Sequence, residues 1–231
     1  MFCKKQFFYN NKRIINLEVS FIMNEYNIIP MGDNCIIAEV LKDLGIRKCS
    51  YPFDWITHVN YFKATNISYN FEIVEKLMQD KFDINDFLGN AFTNGTKIYN
   101  NMWFPHDNEE NREETMNKYK RRFERLREDI TNKKNIFIFL TRRYVIKEPA
   151  FDKIVEQILS YNKDNKIIYI YGSAHDYMHK QKYKVSVAYQ YLFYDVKKLT
   201  RDMKYDYEYY RPLVKTYISE LFAKLKVGGG I

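Results

Sequence analysis

Asn135-Ile136-Phe137-Ile138-Phe139-Leu140 decides the fold, because five apolar residues in a row, β-branched or aromatic but for the last, describe a strand covered on both faces rather than an alternating, half-solvated one. Downstream, Phe151, Ile154, Val155, Ile158 and Leu159 recur at helical spacing, and Lys166 to Tyr171 is a second apolar run that Gly172 ends. Strand, helix, strand, with both strands nearly continuous in apolar character, predicts a parallel crossover unit. Upstream, Asn27 to Met31 is a shorter apolar run stopped by Gly32-Asp33-Asn34. After it Ile37, Val40, Leu41 and Leu44 repeat at helical spacing until Gly45. The expected fold class is α/β, with a largely parallel or mixed sheet flanked by helices.

Around this frame the remaining elements fall into place. Met116, Tyr119, Phe123, Leu126 and Ile130 step by three and four and draw one narrow apolar stripe on a charged helix. Ile73, Val74, Leu77 and Met78 predict a helix within Phe71 to Leu88, broken into a mixed piece at Asp80 to Asp86. Val185 to Val196 adds a strand around Tyr191 to Tyr194, and a last helix starts near Pro212 and stops at the Gly228 to Gly230 run. No internal repeat or Pro/Ser-rich linker divides the chain. Residues 23–231 are therefore expected to form one domain, preceded by an extension over 1–22, with Met23 as an alternative start.

With 231 residues, 46% apolar and 17% aromatic, the chain can bury an ordinary core, which excludes disordered, collagen-like and disulfide-framed classes. No apolar run approaches the roughly 20 residues of a membrane helix, so no membrane association is expected. Three cysteines are too few and too odd in number for a disulfide scaffold, which points to a reducing, cytoplasmic compartment. Met1 to Met23 mixes Lys4, Lys5, Lys12 and Arg13 with aromatics and lacks the apolar stretch of a secretory signal. The net charge of +8 favours encounter with anionic partners. Its densest stretch, Lys118 to Lys134, is interrupted by Glu124, Glu128 and Asp129. It reads as a solvated helix face, and nucleic acid is not expected as a partner.

Cys35 carries the strongest chemical signal, since it follows the Gly-Asp-Asn turn at the expected start of a helix. Backbone N–H groups and the helix dipole favour a thiolate there, and the same N–H groups can receive an oxyanion. The alternative is a small apolar helix residue that happens to be cysteine. His106, in Phe104-Pro105-His106-Asp107, is a candidate general base. His175, just past the expected end of a central strand, competes with it. Asp107, Asp54 and Asp176 are candidates to orient the base. Pro52-Phe53-Asp54-Trp55 reads equally as a loop anchored by aromatics and as a site wall with one polar group. There is no Cys-x-x-Cys pair, no His-Glu-x-x-His helix and no glycine-rich phosphate loop. His175 and His179 are four apart but lack a third ligand, so neither metal nor cofactor is expected.

Pro30-Met31-Gly32-Asp33-Asn34-Cys35, Leu41 to Gly45 and Pro52-Phe53-Asp54-Trp55 together resemble the opening of a family of bacteria and large DNA viruses classed with the papain-like cysteine peptidases. Phe104 to Asp107, Tyr119 to Phe123 and Phe137 to Arg142 are similar to three further elements of that family, and the likeness spans roughly residues 26 to 175. The resemblance implies a Cys-His hydrolase with Cys35 as nucleophile and His106 as base. The Cys35 N–H and the Asn34 amide would stabilise the oxyanion, and Asp54, Trp55 and His175 would lie on the substrate side. It further implies a peptide or isopeptide substrate, a host-cytoplasmic location if the protein is viral, and a papain-like α+β fold as the alternative to α/β. Two other readings stand beside it. One is a Rossmann-like transferase, such as a nucleotide-sugar glycosyltransferase, using Gly32 to Cys35 and Gly172 to Asp176 as one cleft. The other is a basic, non-catalytic binding module.

Overall fold

Strand formation follows the apolar runs closely. In the computed structural model, which describes residues 25–32, 35–58, 65–88, 102–107, 111–141, 148–172, 188–193 and, within 211–219, all but 213 and 217, the elements in chain order are β1 (Asn27–Pro30), α1 (Ile36–Asp43), β2 (Thr57–His58), α2 (Thr65–Met78), α3 (Ile84–Leu88), β3 (Met102–Trp103), α4 (Arg112–Asn132), β4 (Asn135–Thr141), α5 (Glu148–Tyr161), β5 (Lys166–Gly172) and β6 (Ala188–Phe193). The described residues of 211–219 are helical. Asn34, His175, Asp176 and the extension over 1–22 lie outside the described residues.

The main sheet has the order β1-β4-β5-β6, and every neighbouring pair is parallel, with Ile29 opposite Phe137, Ile138 opposite Ile168 and Ile168 opposite Tyr189. The chain is thus α/β, as the apolar runs predict. The papain-like α+β alternative, which requires a mostly antiparallel barrel, is corrected. Among the described residues the only antiparallel pairing is the two-residue ladder of β2 with β3, Thr57 opposite Trp103. The physical reason lies in the connections, because strands joined through helices of this length cross over and return parallel.

Both faces of the sheet are covered. Ile29, Met31, Phe137, Phe139, Ile167 and Tyr169 share one core with α2, α4 and α5, through contacts such as Phe71 stacked on Phe139 at 4.9 Å and Phe151 on Tyr169 at 5.0 Å. The alternate residues Ile28, Ile136, Ile138, Leu140, Ile168 and Ile170 are equally buried but stand outside that core. So do Ile36, Ile37, Val40 and Leu41 of α1 and Val214 and Ile218 of the last helical turns. Strands added in one direction with right-handed crossovers put α4 and α5 on a common face. α1 and the turns around Val214 belong to the opposite one, tied together by the two-pronged pairing of Arg211 with Asp43 at 2.6 and 2.8 Å.

Two helix ends set the loops that matter for function. α1 stops in a Schellman arrangement, where Ile46 N–H donates to Leu41 O and Gly45 N–H to Lys42 O, and Gly45 takes the positive φ of 70° that the motif requires. α4 runs longer than its apolar stripe, because Glu113 and Glu114 favour its first turn through the dipole without adding to the stripe.

Candidate functional site

Cys35 is half-buried where the carboxyl end of β1 leads into α1. Its backbone is helical, its carbonyl accepts from Glu39 N–H at 3.0 Å, and its thiol is free of disulfide. Met31 N–H donates to Ile138 O at 2.8 Å and carries β1 pairing to the strand's end, so Cys35 lies at the carboxyl edge of the parallel sheet. Open α/β sheets bind their ligands along this edge.

The other candidate residues come together from two turns of the same design. In Tyr51-Pro52-Phe53-Asp54 the Asp54 N–H donates to Tyr51 O, and in Phe104-Pro105-His106-Asp107 the Asp107 N–H donates to Phe104 O, both at 3.3 Å. Each is an aromatic-Pro-aromatic-Asp turn in which proline supplies the fixed φ of the second position. An aromatic floor holds them side by side. Phe53 meets Phe123 edge-on at 6.1 Å, and Phe87 packs on Phe104, Tyr119 and Phe123 within 5.6 Å. Above that floor the Trp55 and His106 rings touch edge to face, with centroids 5.2 Å apart.

Both aspartates are committed to cations that sequence reading assigned no role. Arg47 donates through Nη2 and Nε to Asp54 Oδ2 at 2.5 and 3.2 Å, and its guanidinium lies 5.0 Å from the Trp55 ring centre. Lys118 pairs with Asp107 Oδ1, and Tyr119 donates its hydroxyl to Asp107 Oδ2 at 3.0 Å. Asp107 therefore pins the turn that carries His106 to α4. Arg122 rests 5.1 Å over the Tyr119 ring. Its buried Nη1 and the buried Asp54 Oδ1 lack hydrogen-bond partners.

The electrostatics follow from burial. Asp54 is 1% exposed, and loss of water pushes its carboxyl up to about 6 against the opposing pull of Arg47. Burial likewise raises Tyr119, helped by the Asp107 charge, so its hydroxyl stays a donor. His106 itself is exposed.

Of the residues singled out from sequence, the structure brings Asp54, Trp55, His106 and Asp107 into one cluster and sets Cys35 at the sheet edge. Asn34 and His175 are outside the described residues. Sequence reading missed Arg47, Lys118, Tyr119 and Arg122 as site residues. A usable signal existed, because Tyr119 lies on the apolar stripe of α4 and Lys118 and Arg122, four apart, flank it. No group of three or more His, Cys, Asp or Glu side chains that could hold a metal ion occurs among the described residues, and no helix there is long and apolar enough to cross a membrane.

No family model, no curated protein and no solved structure matches this chain. What the fold and the cluster define by themselves is an α/β protein with a parallel sheet, a cysteine at its carboxyl edge and an aromatic-cationic turn pair beside α4.

Proposed function

We propose that the protein is a thiol-dependent acyl hydrolase acting on a peptide or isopeptide, with Cys35 as nucleophile and His106 as general base. The observation that carries this reading is the seat of Cys35, half-buried at the start of α1 on the carboxyl edge of the sheet, where the helix dipole favours the thiolate over the thiol. The thiolate attacks the acyl carbonyl, and the Cys35 N–H and the Asn34 amide receive the oxyanion. The imidazolium of His106 hands its proton to the leaving amine. Neutral His106 then takes a proton from the water that hydrolyses the thioester, which restores the thiolate. Asp107 serves by fixing the turn through Lys118 and Tyr119. Expected partners are thus peptide substrates, without metal or cofactor, in the cytoplasm.

A thiol-directed acyl probe tests this directly. At neutral pH Cys35 should react faster than Cys3 or Cys49, and His106→Ala should slow that reaction by about a hundredfold or more. Equal labelling of the three thiols, or a His106→Ala protein that reacts as the wild type does, would end the hydrolase reading. A second reading draws on the sheet itself, since β1 and β5 end on the same edge in the manner of nucleotide-binding folds. A nucleotide-sugar glycosyltransferase would show thermal stabilisation by a nucleotide sugar that persists in Cys35→Ala.

A further inference from the structure

Trp55 is half-buried and His106 exposed, so their contact does little for the core. Behind it stands an anchor far stronger than a surface loop needs. Arg47 is fixed at three points, twice to Asp54 Oδ2 and once to Ser50 Oγ at 2.7 Å, and lies over the indole at 5.0 Å from its centre. The carboxylate that holds it is withdrawn from water at 1% exposure, an arrangement that costs desolvation and that an apolar pair would avoid. What a buried ion pair adds here is a fixed direction, and the group it fixes is the Trp55 ring that meets the imidazole at 5.2 Å.

We propose that Trp55, clamped by Arg47 and Asp54, is a positioning residue for the His106 imidazole. The proposal rests on the reading of His106 as the base. Asp107, Lys118 and Tyr119 set the backbone of the His106 turn, as their contacts on α4 show. They leave the ring free to rotate about its own side-chain bonds. The contact with the indole removes that freedom, so that the nitrogen that exchanges protons keeps one orientation while the nucleophile reacts.

Two measurements on the full chain test it. The chain has two tryptophans, so Trp103→Phe leaves Trp55 as the only indole, and an imidazole held in contact quenches its fluorescence. At one fixed pH, emission should rise in His106→Gln, and rise by at least half as much in Arg47→Met and in Asp54→Asn. With the acyl probe, Trp55→Ala should lower the maximal rate at Cys35 about tenfold at unchanged probe affinity, and Trp55→Phe should recover most of it. Emission in Arg47→Met and Asp54→Asn no higher than in their Trp103→Phe parent overturns the clamp. A Trp55→Ala protein that reacts at the wild-type rate while His106→Ala is slow overturns the positioning role and leaves the hydrolase reading standing. A His106→Ala protein as fast as the wild type removes the base itself, and the proposal with it.

Discussion

Asp54 shows how a single side chain links stability to pH. Its carboxyl, pushed up to about 6 by burial, holds its proton more tightly folded than unfolded, where a carboxyl titrates near ~4. Its favourable contribution is therefore present below about pH 4 and is lost as pH rises through 6, leaving a cost of about 3 kcal/mol at neutral pH. Asp54→Asn keeps the size and removes the titration. Urea unfolding at a series of pH values should show wild-type stability falling relative to Asp54→Asn by up to about 3 kcal/mol from pH 4 to 7; a relative gain would contradict the burial argument. The cations of α4 teach a related lesson. Read in sequence they form a solvated face, yet Lys118, Arg122 and Arg125 are half-buried. Lys118 tethers the His106 turn, Arg122 lies over Tyr119, and Arg125 donates to Ser50 O at 2.7 Å. Long cationic stems can lie along a core while their heads hold a loop.

Among the elements, the ends of α1 and α2 use one device with different residues. α2 closes as α1 does, with Asp80 N–H donating to Leu77 O and Lys81 N–H to Lys76 O, but the residue in the left-handed position, at φ 58°, is Asp80 rather than glycine. The Arg127 guanidinium pairs with Asp80 at 2.6 Å, yet both side chains are largely exposed, 46% and 72%, so the pair contributes little. Asp80→Gly should therefore raise stability by about 0.5 kcal/mol, and Gly45→Ala, strained at φ 70° with open space around it, should lower it by about 1 kcal/mol. Shifts in the urea midpoint at constant slope would check both; a destabilised Asp80→Gly would mean that the Arg127 pair outweighs the backbone strain. The sequence shows both stops, as Gly45 and as the break at Asp80, and the break also explains why α2 and α3 are two helices rather than one over Phe71 to Leu88.

Across the whole molecule, the two edges of the sheet do different work. At the amino edge, Asn27 Nδ2 and the Tyr51 hydroxyl meet at 2.5 Å, Tyr51 donates to Asp129 Oδ2 at 2.5 Å, and Asn135 and Asn165 continue the chain at 2.9 Å, all of them buried. This network joins the start of β1, the loop before Trp55, the end of α4 and the approach to β5. Burial, reinforced by Asp129, raises the Tyr51 hydroxyl above its ordinary range, so it remains a donor at any physiological pH. Tyr51→Phe keeps the ring and strips a partner from both Asn27 and Asp129, and it should cost about 2 kcal/mol in unfolding free energy. A loss below about 0.5 kcal/mol would show the network to be dispensable. At the opposite, carboxyl edge stands Cys35, while the Tyr51 turn carries the network on to Asp54 and Trp55.

The alternation of apolar runs and helical stripes determined the strands, their burial on both faces and the α/β class, because a strand between two layers of helices needs apolar side chains in both directions, and runs this short, rich in β-branched and aromatic residues, favour strand over helix. The two Pro-containing turns were legible as residues but not as neighbours. Trp55 and His106 are separated by 51 positions, and only the packing of Phe53, Phe87, Phe104 and Phe123 brings them into ring contact. The choice of partners for Asp54 and Asp107 was likewise left to the tertiary structure. A carboxylate finds its cation by distance in space, and Arg47 and Lys118 reach theirs only after α1 has turned at Gly45 and α4 has docked on the sheet.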